Sequence, residues 1–265
     1  MTEQVGPALP PAVRARLPED MQAQPMAPGA TNHLWRLEAD GQRWVWRQFV
    51  PAPGVDRARE QTIMRALQGF AWMPDLLAWT PQGMLLPWID GAPAPNTKPD
   101  PDQRAELLTL LNELWARPLP EVAAWDYEQL VCDYEAACPD DARWHQLADR
   151  LISACRQWPA ATPCLMHHDL HPGNLLLSGR QWTLLDWEFA ARGNPWIDAV
   201  CVDRWLGLSG PERAVLMPVL APHAVTADPW AHYRDWVEGL EKLWYAAVAR
   251  ETAQGIRTPR AATKS

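Results

Sequence analysis

The stretch His167-His168-Asp169-Leu170-His171-Pro172-Gly173-Asn174, with Asp186-Trp187-Glu188 following it, concentrates the sequence's reactive side chains. Asn174 opens the apolar run Asn174-Leu-Leu-Leu, and Asp186 closes the run Trp182-Thr-Leu-Leu-Asp186, with the turn Ser-Gly-Arg-Gln between them. Antiparallel pairing of the two runs brings Asn174 and Asp186 to one end of a ribbon whose strands lie about 4.8 Å apart. Asp169 sits on the loop that feeds this end. Two carboxylates and an amide oxygen converging there make a hard oxygen site, the kind Mg²⁺ accepts when phosphate oxygens complete its octahedron. The remaining carboxylate can then take a proton from a hydroxyl. This is the layout of phosphoryl transfer, in which H-x-D-x-x-x-x-N supplies a base and one metal ligand and a downstream Asp supplies the main metal ligand.

A lone Asp or Asn beside a strand is usually a turn or cap residue, so the reading rests on Asp169, Asn174 and Asp186 as a set. His167 belongs to the catalytic loop and is expected to hold backbone instead of transferring protons. His167, His168 and His171 could alternatively form a transition-metal cluster, although adjacent residues on an extended loop point apart. Glu188 stands open between a metal or substrate contact and a cap.

The elements that must position these residues divide the chain. The first 28 residues hold six prolines, leaving room for one short helix near Ala12 to Leu17. From His33 to Val50, two aromatic and β-branched runs flank Asp40-Gly41, which predicts a β-hairpin. Asp56 to Gln68 places Ile63, Met64 and Leu67 at helical spacing, with Gly69 as a stop. Gly83-Met-Leu-Leu-Pro-Trp-Ile-Asp-Gly91 predicts an apolar strand entering a proline-rich connector up to Pro101. Beyond the connector the chain reads as mainly helical, with Leu107, Leu108, Leu110, Leu111 and Leu114 on a core-facing helix from Asp102 to Trp115. Further helices are predicted at about 142 to 157, 210 to 220 and 229 to 251. An N-terminal lobe over 1–90 and a larger lobe over 91–265 follow, with an α+β fold class.

The 265 residues are 48% hydrophobic and 21% charged, enough for a sizeable core and too apolar for wholesale disorder. Proline, at 27 residues, is about twice its average usage of roughly 5%, so stiff loops are expected. A net charge of -8 argues against nucleic acid as a partner and for cationic or metal-bridged ligands. Five cysteines without a C-x-x-C read as reduced thiols in the cytoplasm. Neither a signal peptide nor a membrane span is recognisable.

On the residues His167 to Asn174 and Leu185-Asp186-Trp-Glu188, the sequence resembles the aminoglycoside phosphotransferase/choline kinase superfamily. Gly29 to Gln48, ending Gly41-Gln-Arg-Trp-Val-Trp-Arg47-Gln48, is similar to the start of bacterial thiamine kinases. The resemblance implies a protein-kinase-like two-lobed fold with a small antiparallel sheet and one helix in front of a larger helical lobe. It implies ATP and Mg²⁺ as cofactors, Asp169 as catalytic base, and Asn174 and Asp186 as metal ligands. A nucleotide-covering loop would run from Gly29 to His33 and contain Asn32, Arg47 would pair with Glu60 and the phosphates, and the strand from Met84 to Trp88, with Leu86 and Trp88 on it, would be the hinge receiving adenine through its backbone. Asp198 would buttress the catalytic loop. The sequence departs from the superfamily in carrying Arg47 where most members have Lys, a single glycine in the covering loop, and His168 where Gly is common.

Only about a dozen residues separate Asp186 from Asp198, too few for the activation segment of a protein kinase, so the acceptor is expected to be a small alcohol. Tyr233 to Tyr245 mixes acids and aromatics on one helix, and Trp236 and Glu241 are candidate contacts for a cationic acceptor. Thiamine comes first, choline or another amino alcohol second, an aminoglycoside third. A catalytically weak nucleotide-binding regulatory protein and a metal-dependent hydrolase are the readings from other classes. A monomer or weak homodimer is expected.

Overall fold

In the computed structural model, which describes residues 6–27, 32–94, 98–119 and 121–253, five antiparallel strands form the first sheet. They are β1 (Gln22–Pro25), β2 (Asn32–Ala39), β3 (Gln42–Phe49), β4 (Ala78–Thr80) and β5 (Gly83–Pro87), in the order β1-β2-β3-β5-β4. Asp40 and Gly41 both have positive φ, 50° and 74°, as a two-residue hairpin turn of matching twist requires. Helix α1 (Pro11–Arg14) is one turn with proline at its start, shorter than the predicted Ala12 to Leu17. Helix α2 (Arg57–Ala66) is capped by the Asp56 carboxylate, which accepts from the amides of Ala58 and Arg59 at 2.9 and 3.1 Å.

Two of the five strands escape the sequence pattern. β1 reads Gln-Ala-Gln-Pro with no apolar alternation and survives as an edge strand, the position where a proline is tolerated. β4 is only three residues long.

Past the sheet, β6 (Ala92–Pro93) joins β8 (Leu175–Ser178) and β9 (Gln181–Leu184), while β7 (Cys164–Met166) pairs with β10 (Ala191–Gly193). The remaining described chain is helical: α3 (Pro101–Trp115), α4 (Tyr127–Ala137), α5 (Ala142–Cys155), α6 (Trp196–Leu206), α7 (Gly210–Leu220) and α8 (Pro229–Ala253). The sequence reading lacks α4 and α6. Seven of the eleven residues of α6 are buried, so it presents no polar face and no amphipathic period to detect. Helix α4 does carry a signal, Asp126 as cap and Leu130, Val131 and Tyr134 inward.

Met84 and Leu85, adjacent on β5, enter two different cores because strand side chains alternate. Leu85 packs with Val13, Leu37 and Trp46. Met84 joins Ile63 and Met64 of α2 in a cluster that runs on through Leu107, Met166, Trp187 and Trp196. The sheet and the helical part therefore share one apolar body, and the site lies where they meet.

Candidate active site

Strand β7 delivers the chain into His167–Asn174, and the β8–β9 hairpin returns it at Asp186. The Leu185 amide donates to the Asn174 carbonyl at 2.8 Å, which ties the two ends of the hairpin together. Helix α6 holds this loop from beneath. One Asp198 oxygen accepts from the His167 amide at 3.0 Å and the Trp115 indole at 3.2 Å, and the other accepts from the His168 amide at 2.8 Å. Burial pushes the Asp198 acid up to about 6 against these hydrogen bonds. With both amides fixed, His168 adopts φ 65°, the left-handed conformation that glycine takes at no cost. The backbone path of the loop is thus kept with a side chain in place of the common glycine.

His167 is fully buried and uses both ring nitrogens on backbone. Nε2 bonds the Leu185 carbonyl at 2.8 Å, and Nδ1 accepts from the Asp169 amide at 3.3 Å. This pairing fits only a neutral ring with its proton on Nε2, and burial lowers its pKa to about 3. Asn174 donates through Nδ2 to the Asp169 carbonyl at 3.0 Å and to a carboxylate oxygen of Asp169 at 2.8 Å. Asp186 has φ 62° and accepts a hydrogen bond from Arg47. The acid of Asp169 is raised well above its ordinary value by burial and by repulsion from Asp186 and Glu188. Burial likewise pushes Asp186 up to about 7, against Arg47, with Glu188 and Glu60 adding to the rise. Mutually repelling carboxylates in a partly dry cleft favour a divalent cation between them.

Arg47, from β3, donates to Glu60 of α2 at 2.5 Å and to Glu188 at 2.7 Å, besides Asp186. Burial opposes its charge, but the fields of Asp186, Glu60 and Glu188 outweigh burial and raise its pKa. Glu188, 1% exposed, also accepts from Asn32 at 2.9 Å and from Arg57 at 3.0 Å. These bonds join it to the charged cluster beside Asp186.

Leu86 lies on β5 opposite Val45. The Trp88 amide donates to the Arg43 carbonyl at 3.0 Å, and its ring lies 5.4 and 5.3 Å from the guanidiniums of Arg36 and Arg43. Neither residue lines the cavity described next. Gly29 falls outside the described residues, and Ala27 and Leu34, on either side of it, do line the cavity.

A cavity of about 600 Å³ opens beside Asp169, Asn174, Asp186 and Glu188. Its wall is aromatic: Trp125 precedes α4, Tyr127 and Tyr134 come from it, Phe189 follows Glu188, and Trp236, Trp244 and Tyr245 come from α8. Trp236 is buried, donating to the Leu151 carbonyl at 3.1 Å, so it shapes the wall from behind. Glu241 also lines the cavity, but Arg204 grips its carboxylate with two bonds of 2.5 and 3.0 Å, which offsets its attraction for a cation.

Sequence reasoning missed Arg57 and the pair Tyr127 and His168. The Tyr127 hydroxyl accepts from the Asn194 amide at 2.9 Å and lies 2.9 Å from His168 Nε2. A Cβ on Gly193 would stand 2.6 Å from that nitrogen, so the glycine makes room for the pair. Arg57 had a faint signal, its i,i+3 spacing to Glu60 on α2.

Residues 22–217 match the model of a phosphotransferase enzyme family. The thiamine kinase of Escherichia coli strain K12 is 26% identical over 246 residues, covering 84% of this chain and 82% of that protein. Among solved structures, a choline kinase from Streptococcus pneumoniae superposes with a TM-score of 0.71 at 14% identity, over 94% of this chain and 91% of that one. A macrolide 2'-phosphotransferase type I gives 0.63 at 19% identity, over 96% of both chains. At such identities these two likenesses speak for the fold.

Proposed function

The chain belongs to the phosphotransferase enzyme family and is a small-molecule kinase, and from that premise we propose that it moves the γ-phosphoryl group of ATP to the hydroxyl of a small cationic alcohol. Thiamine is the first candidate, and choline or another amino alcohol the second. The observation that carries this reading is the cavity itself, whose lining sets aromatic rings alongside Asp169 and Asp186. A cation is attracted by ring faces and by carboxylates together. The thiamine kinase relative, similar over most of both chains, supports thiamine as the first choice.

In this reading Asp169 orients the acceptor hydroxyl and takes its proton as the oxygen attacks the γ-phosphorus and ADP departs. Asn174 keeps Asp169 aimed through its two hydrogen bonds to that residue. The donor set fits Mg²⁺: the Asn174 amide oxygen and the Asp186 carboxylate are hard oxygens, the ligands that ion takes together with phosphate. When bound, Mg²⁺ supplies charge neutralisation on the phosphates. Arg47 holds the tail of the nucleotide, Glu60 holds Arg47, and His167 and Asp198 hold the loop. Catalysis is then mostly positioning and charge compensation.

The test is a pair of substitutions. Asp186→Ala is expected to abolish Mg²⁺-dependent nucleotide binding, measured by tryptophan fluorescence. Asp169→Asn is expected to leave that binding nearly intact and to lower kcat by about two orders of magnitude or more. Full turnover by Asp169→Asn would remove Asp169 as the base.

A further inference from the structure

The charged groups behind the candidate nucleotide site form a closed ring. Glu60 Oε1 accepts from Arg47 at 2.5 Å and Glu60 Oε2 accepts from Arg57 at 2.6 Å. Glu188 Oε2 accepts from the same two guanidiniums, at 2.7 Å from Arg47 and 3.0 Å from Arg57. Both glutamates are buried, Glu60 at 0% and Glu188 at 1% exposure. Arg47 carries a third load, the Asp186 carboxylate. Both NH2 hydrogens of Arg47 are committed, to Asp186 and Glu188, so a phosphate that takes this edge of the guanidinium displaces a carboxylate, and a buried carboxylate abandoned by its cation is strongly disfavoured.

Arg57 resolves the conflict. It has anchors of its own: its NH2 donates to Asn32 Oδ1 at 2.9 Å and to the Val50 carbonyl at 3.3 Å, and its guanidinium lies 4.2 Å over the Phe49 ring. It touches both glutamates and, like Arg47, lies behind the residues that line the cavity. We infer that Arg57 is a positioning residue that keeps Glu60 and Glu188 compensated while Arg47 trades carboxylates for the phosphates of a nucleotide. The inference rests on the reading of this cleft as a nucleotide site. Arg57 acts through Arg47 and never touches the reacting atoms. Because it sits on α2 and reaches Glu188, beside Asp186, it also couples the position of α2 to the metal-binding end of the hairpin.

The experiment measures binding of Mg²⁺ and a non-hydrolysable ATP analogue to the full chain by intrinsic fluorescence. Arg57→Met is expected to raise the dissociation constant about tenfold or more, and Arg57→Lys, which keeps the charge, to recover most of the loss. Adding Glu188→Gln to Arg57→Met removes one of the two charges that Arg57 compensates, so Arg57→Met is expected to cost several-fold less affinity in the Glu188→Gln background than in the wild type. In turnover, KM for ATP rises and KM for the acceptor does not. Should Arg57→Met fail to fold, Arg57→Gln takes its place in the same cycle. Wild-type affinity in Arg57→Met, or no recovery through Arg57→Lys and Glu188→Gln, overturns the inference. Absence of Mg-nucleotide binding by the wild type overturns instead the nucleotide reading on which it rests.

Discussion

Two adjacent histidines show how one residue type serves two needs in the catalytic loop. His167 gives both nitrogens to backbone, while His168 supplies a left-handed backbone and presents its Nε2 to Tyr127. His167 makes the pH dependence testable. Its pKa falls from 6.5 in the unfolded chain to about 3 in the folded one, so below about pH 6.5 the unfolded state takes up a proton that the folded state refuses. The folded state loses stability as pH falls through that window. The raised acids of Asp169, Asp186 and Asp198 act in the opposite direction, so the effect is isolated by difference. The stability advantage of wild type over His167→Asn, measured by urea unfolding, is expected to shrink by about 1.4 kcal/mol per pH unit below pH 6.5. A difference independent of pH would assign the proton elsewhere. Asp169, Asn174 and Asp186 were legible in sequence because one short hairpin brings them together. The partners of His168 were not, because Tyr127 and Gly193 reach it only through tertiary packing.

Among the helices, the two missing from the sequence reading both shape the site. Helix α6 supports the loop through Asp198, yet a helix buried on most sides writes no period into its sequence. Helix α4 contributes Tyr127, Leu130 and Tyr134 to the cavity wall, and its start depends on Asp126, which accepts from the Gln129 amide at 3.0 Å. Asp126→Ala is expected to cost about 1 kcal/mol of stability, read as a lower melting temperature. In the proposed function α4 walls the acceptor side of the cavity, and on that reading the same change is expected to raise KM for the acceptor and leave KM for ATP unchanged. An equal rise in both would place α4 in the nucleotide site. The β2–β3 and β8–β9 hairpins and α2, α3, α5, α7 and α8 were readable from turn residues and apolar spacing.

At the scale of the whole molecule, the sheet and the helices share a continuous core, and the acidic cleft lies along their junction. The net charge of -8 agrees with a cationic acceptor and a metal-bridged nucleotide. Among the described residues no helix is long and apolar enough to cross a membrane. What composition could not reveal is how the charges are shared: Glu241, a sequence candidate for cation binding, is held by Arg204, while Asp169 and Asp186 line the same cavity. The central claim is tested most directly by acceptor-dependent ADP release from Mg-ATP over thiamine, choline, ethanolamine, aminoglycosides and amino sugars, with Asp169→Asn as the blank. One strong hit on a small cationic alcohol, thiamine foremost, is the predicted result. Release only with aminoglycosides, or nucleotide binding without turnover on any acceptor, would contradict it.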